Sequence, residues 1–177
     1  MIDTTFRVHP SPVGDVLIVA TSEGIVALHP VDAPIDVELE HVAQALRSQP
    51  EPDDAAGGDI GTQLDEYFAG DRREFDVTLD WRLVSGFRRA ALEAIREIPY
   101  GETAGYGEVA ISAGSPGAAR AVGTACATTP FSIVVPVHRV IRADGSLGEY
   151  GGRPEVKRLL LDLERAADDD PERAADV

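Results

Sequence analysis

The segment PVHRVIRADGSLGEYGG, residues 136–152, gathers an imidazole at His138, a guanidinium at Arg139 and a phenol at Tyr150, spaced by glycines. Such a set looks like the rim of a reactive pocket, because glycine lets backbone close on a ligand while the other three supply polar contacts. The residue beside His138, where a nucleophile belongs, is Val137. Valine has no lone pair and no ionisable proton. IVV before it reads as a short buried strand, with Pro136 bending the chain so that His138 emerges at the end. A lone histidine is more often a hydrogen-bonder in a core than a catalyst. Glu164 is a candidate carboxylate to orient the ring, as a base is oriented in a nucleophile–base–carboxylate triad; its alternative is a solvated helix face.

The elements that must position these groups fall into two styles. TTFRVH, VLIVAT and IVALHP, separated by SPVGD and SEG, predict three short antiparallel strands over the first thirty residues. IDVELEHVAQALRS, 35–48, places Val37, Leu39, Val42, Ala43 and Leu46 on one helical face covering that sheet. PEPDDAAGGDIG, 50–61, is an acidic, glycine-rich loop with too little apolar character for a packed element. TQLDEYFAGD then predicts a short helix, and REFDVTLDW a strand whose Phe75, Val77 and Leu79 alternate inward. From Ser85 the chain turns helical: SGFRRAALEAIREI with Ser85 as N-cap, YGEVAISAG, SPGAARAVGTACAT with Ser115 as N-cap and Pro116 at the first helical position, and PEVKRLLLDLERA. The fold class expected is an α/β N-terminal domain with a small antiparallel sheet, residues 1–80, followed by a mainly α, winged-helix-like helix-turn-helix domain, residues 81–165. Residues 166–177 are expected to form an acidic disordered tail.

Composition narrows the function. A single cysteine, Cys126, excludes an internal disulfide, and the four histidines are too scattered to predict a metal site. No cofactor motif is present, no apolar run is long enough for a membrane, and the N-terminus lacks a secretory pattern, so a cytoplasmic protein is expected. The net charge of −15 argues against nucleic acid until its distribution is considered. Residues 1–80 carry 4 Arg against 17 Asp and Glu, whereas residues 81–165 carry 11 Lys and Arg against 9 acids. An anionic partner would therefore bind the second half. There the second helix of the helix-turn-helix has Ala118, Ala119 and Ala121 around a single projecting Arg120. So little side chain cannot read base edges in a major groove, though it can press into a narrow one; tight helix packing is the alternative.

IPYGETAGYGEVA, SPGAARAVGTACATTP, IVVPVHRVIRADGSLGEYGG and the spacing of VKRLLLDLE, in register from Ile98 to Glu164, resemble the O6-alkylguanine-DNA alkyltransferases. EYFAG and EFDVTLD agree with that family's N-terminal half, which is ribonuclease-H-like. The resemblance implies a monomer that needs no cofactor or metal, docks its helix-turn-helix in the minor groove of double-stranded DNA and flips O6-alkylguanine out of the stack. Arg120 would fill the gap left behind and Tyr106 would turn the target phosphate. The base would stack near Tyr150 and lie against Val140, with backbone at Val137 and Gly151 reading its edge. Cys126 would line the pocket, or serve only as a small helix-packing residue.

Three departures bear on activity. The family has Pro-Cys-His-Arg-Val where this sequence has Pro-Val-His-Arg-Val, so Val137 stands at the alkyl-acceptor position. Thr129 stands where the family has an asparagine that braces the reactive turn, and Arg88, Ala90 and Ala91 replace a glutamine and a bulky pair. With Tyr106, Arg120 and Tyr150 kept, the pattern resembles the alkyltransferase-like proteins, which lack the cysteine, bind the lesion and present it to excision-repair proteins. Two other readings stay open: an active methyltransferase using Cys126, and an interaction module with no DNA role.

Overall fold

The computed structural model describes residues 2–170. The chain divides between Leu83 and Val84 into two compact units.

The first unit is built on strands β1 (Thr4–His9), β2 (Val16–Thr21) and β3 (Gly24–Pro30), antiparallel as their alternation predicts. A fourth strand, β4 (Glu51–Pro52), pairs in parallel with β1, giving the order β3-β2-β1-β4 and making the sheet mixed. β2 is central, so Val16 to Ala20 are buried on both faces and the run has no polar alternation. Helix α1 (Ile35–Leu46) covers one face, with Val42 and Leu46 packed on Leu17, Val19 and Val26. Helix α2 (Ile60–Phe68) buries Ile60, Leu64 and Tyr67.

Two expectations for this unit are corrected. The loop 50–61 is not free of packed structure: it contains β4 and buries Ala56, and Arg7 donates to the carbonyls of Asp54 (3.1 Å) and Gly58 (2.8 Å). Gly57, at φ +74°, makes this close approach workable, because a Cβ there would lie 2.8 Å from Ile18 Cγ2. Gly57→Ala is expected to lower unfolding stability by about 1–3 kcal/mol, read as the shift in a urea midpoint. The segment 73–81 has the alternating burial expected of a strand yet forms only a bridge, Ile25 with Leu79. Its bonds to β3 are Ile25 N–H to the Thr78 carbonyl and Asp80 N–H to the Ile25 carbonyl.

The second unit holds α3 (Gly86–Arg96), β5 (Ala104–Gly105), α4 (Tyr106–Ser112), α5 (Ala119–Ala127), β6 (Val140–Ile141) and α6 (Pro154–Asp168). Helices α3, α4 and α5 pack on one another, and β5 pairs in parallel with β6. Ala91 is fully buried in α3, and Arg88 donates to the Thr128 carbonyl (2.8 Å), placing a cation where α5 ends. The second helix of the pair starts at Ala119, with Ala118 as N-cap, rather than at Pro116. Gly117 at φ +87° explains the difference, since a left-handed residue cannot continue a helix begun at Pro116. Helix α6 runs through Asp168, into the region expected as tail; residues 171–177 lie outside those described.

Candidate functional site

Residues 133–136 are buried, but the segment IVV, 133–135, does not form the expected strand. Ile133 sits at φ +69°, a rare conformation for a β-branched residue, and Val134 N–H reaches back to the Ser132 carbonyl (2.8 Å). A second tight turn at Pro136 brings Val137 N–H to the Val135 carbonyl (2.8 Å). These reversals deliver the chain into a single 3-10 turn, Val137–Arg139, and then into β6. Thr129 does not brace that turn: its hydroxyl donates to the Phe131 carbonyl (2.9 Å) and accepts from Phe131 N–H (3.0 Å).

The turn aims two side chains at α6. His138 Nε2 lies 2.7 Å from Glu164 Oε1, with the two side chains 0% and 1% exposed, so the solvated-face alternative for Glu164 is excluded. Arg139 grips the same carboxylate, Nε to Oε2 and Nη2 to Oε1, both 2.9 Å, and donates Nη1 to the Ile98 carbonyl (2.7 Å). Gly101 N–H adds a longer bond to Oε2 (3.3 Å). Burial works to raise the Glu164 pKa, yet the hydrogen bonds and charge of His138 and Arg139 hold it down at about 2. Burial lowers the His138 pKa against the pull of Glu164. With Arg139 supplying the positive charge, the ring is neutral and donates its Nε2 proton to Glu164.

Val137 also faces a cavity of about 580 Å³, whose walls include Tyr106, Ala119, Arg120, Cys126, Tyr150 and Gly151. Tyr106 starts α4 directly after β5, and Arg120 lies in the first turn of α5, so the strand pair and the helix pair converge there. Near Tyr106 the chain approaches closely: a Cβ on Gly148 (φ +72°) would lie 2.9 Å from the tyrosine oxygen. Ala118, half-buried Ala121 and fully buried Val140 are outside the lining. His138 and Glu164 are buried and absent from the lining as well.

Residues 5–81 match the family profile described as 6-O-methylguanine DNA methyltransferase, ribonuclease-like domain, and residues 86–166 match the DNA binding domain of the same family. A methylated-DNA–protein-cysteine methyltransferase of Methanosarcina acetivorans is 36% identical, over 90% of this chain and 97% of the relative. The chain belongs to the 6-O-methylguanine DNA methyltransferase family. The Mycobacterium tuberculosis (strain H37Rv) methyltransferase is 48% identical over 72% of this chain and 77% of its own. The solved structure of an O6-methylguanine methyltransferase from that organism superposes with a TM-score of 0.81 at 39% identity, covering 93% of this chain and 94% of that one. Its OGT in complex with DNA gives the same score and identity, over 92% and 94% of the two chains. The mixed-sheet and helix-turn-helix units are thus this family's ribonuclease-like and DNA-binding domains.

Two cations, Arg139 and Lys157, carry much of the electrostatics around the cluster and the cavity. Arg139 was visible only as part of a motif, and its hold on Glu164 is a contact across 25 positions. Lys157 is fully buried, donates to the Val140 carbonyl and lies 5.9 Å from the Tyr106 ring centroid. Burial pushes its pKa down to about 8, with the Arg142 charge acting in the same direction and Cys126 opposing. Burial pushes the Cys126 thiol up to about 12, and the nearby Lys157 charge offsets only part of this. Burial likewise raises the Tyr106 phenol, keeping it a neutral hydrogen-bonding group. No group of three metal-ligating side chains occurs among the described residues, and no described helix is long and apolar enough to cross a membrane.

Proposed function

We propose that this family member binds O6-alkylguanine in double-stranded DNA and does not take up the alkyl group. The observation that carries the reading is the pairing of an assembled His138–Glu164–Arg139 cluster with an aliphatic side chain, Val137, at the adjacent cavity wall. In-line displacement at the alkyl carbon needs a thiolate at that wall. Lesion binding needs a pocket, a helix to dock and a side chain to replace the extruded base. Tyr150, Gly151 and Val137 lining one cavity with Tyr106 and Arg120 support that half of the reading. Such a protein, monomeric and cytoplasmic, would mark damage for excision-repair proteins rather than reverse it.

The competing enzyme reading needs Cys126 as acceptor. Its thiol does line the cavity, but a pKa near 12 leaves almost no thiolate at neutral pH. Incubation with excess O6-methylguanine duplex is expected to leave the intact protein mass unchanged and the lesion in the DNA. A one-methyl mass gain, mapped to Cys126, would replace this reading with the enzyme one. In a binding titration with the same duplex, Arg120→Ala is expected to weaken the affinity; unaltered affinity would favour a module with no DNA role.

A further inference from the structure

The cavity carries a charge that lesion binding as described does not use. Arg142 directly follows β6 and lines the cavity that Val137 also lines. Its side chain forms no ion pair among the described residues. Glu149 is on the same lining and forms no ion pair with Arg142 among the described residues. Lys157 lies near enough for the two cations to repel, as the direction of its pKa shift indicates. Asp144, two residues on, feels the Arg142 charge but spends its Oδ1 on Ser146, so the Arg142 guanidinium keeps at the cavity wall the planar donor fork that matches a carboxylate.

We propose that Arg142 is a specificity-determining residue that favours O6 adducts bearing a carboxylate, such as carboxymethyl, over neutral methyl adducts. This rests on the cavity being the site of a flipped O6-alkylguanine. A carboxylate on the adduct gains guanidinium hydrogen bonds and offsets the repulsion between Arg142 and Lys157. A methyl group gains neither. Glu149 acts with the opposite sign, because its charge opposes an anionic adduct in the same space. The duplex itself offers another anion, phosphate, but a phosphate contact strengthens binding to every duplex alike, whereas an adduct contact acts on one.

The test is anisotropy titration of the full chain against three duplexes that differ at one guanine: unmodified, O6-methyl and O6-carboxymethyl, at one salt concentration. Wild type is expected to prefer the carboxymethyl duplex to the methyl one. Arg142→Ala should weaken binding to the carboxymethyl duplex by about tenfold and change the other two by less than about twofold. Glu149→Gln should strengthen the carboxymethyl duplex alone. Both side chains are exposed, so neither change disturbs the core. Equal weakening on all three duplexes by Arg142→Ala would make it a phosphate contact and overturn the proposal, with lesion binding intact if the methyl duplex still outbinds guanine. If neither adduct outbinds guanine in wild type, the lesion reading itself fails and this inference with it.

Discussion

Val137→Cys is expected to let the chain take up a single methyl group from O6-methylguanine duplex, where the proposed lesion-binding wild type takes up none. The replacement is smaller than valine and the site is buried, so it leaves a small void at a cost of about 1 kcal/mol, well short of unfolding a domain. The turn that presents position 137 does not depend on its side chain: it is held by the backbone bonds Val137 N–H to Val135 and Arg139 N–H to Pro136 (2.9 Å). A thiol at 137 would be a neighbour of His138, whose neutral ring is oriented by an ionised Glu164 and can accept the thiol proton. The charge near Cys126 is that of Lys157, which offsets only part of the effect of burial on the thiol, so the position of the thiol matters and not its mere presence. Adding His138→Gln to Val137→Cys should slow transfer at least about a hundredfold, the usual weight of a positioned base. Adding Thr129→Asn should speed it, since the Thr129 hydroxyl is spent on Phe131. Intact mass after exposure to O6-methylguanine duplex reads all three; a folded Val137→Cys protein with no mass gain would mean the cluster is not a working proton acceptor.

Glu164→Gln is expected to destabilise the second unit by roughly 3–5 kcal/mol, the usual cost of leaving a buried cation without its counter-charge. The carboxylate receives His138 and Arg139 on Oε1 and Arg139 and Gly101 on Oε2, and an amide cannot accept on both ends. Arg139, buried with it, would be left with the Ile98 carbonyl and the Tyr100 face 5.6 Å away. The sign of the pH effect follows from the lowered pKa. Glu164 near 2 in the folded chain, against 4.5 ordinarily, contributes stability that is fully present above about pH 4.5 and lost as pH falls toward 2. His138, lowered from 6.5, also disfavours the folded state as pH drops below its ordinary value, because only the unfolded ring readily takes the proton. Urea midpoints measured from pH 7 to pH 3 should therefore fall for wild type, and the gap between wild type and Glu164→Gln should narrow below pH 4.5. A constant gap would show that the carboxylate charge contributes nothing to folding.

The three-stranded meander was legible because alternation and turn residues are local signals, and Glu164 was legible because a base such as His138 calls for an orienting carboxylate and the motif resemblance agreed. What the sequence concealed depends on contacts distant along the chain. Phe75, Val77 and Leu79 alternate as in a strand, but a ladder needs a partner and only Leu79 bridges to Ile25. Ser115 and Pro116 carry good helix-start chemistry, overridden by the left-handed Gly117 that follows. IVV has strand composition, yet Ile133 is forced into a turn that positions the next segment, a local cost of about 1–3 kcal/mol placed next to the site. The burial of Lys157 and the Arg139 grip on Glu164 could not be read from residue type, since lysine and arginine are ordinarily exposed.

The most direct test of a lesion-binding protein without turnover is a titration of the unmodified chain against two fluorescent duplexes that differ only by one O6-methylguanine, at one fixed salt concentration. Clearly tighter binding to the methylated duplex, with the lesion recovered intact from the complex, is the expected result. Equal affinity for the two duplexes would contradict it, because a retained pocket must distinguish the base it was shaped to hold.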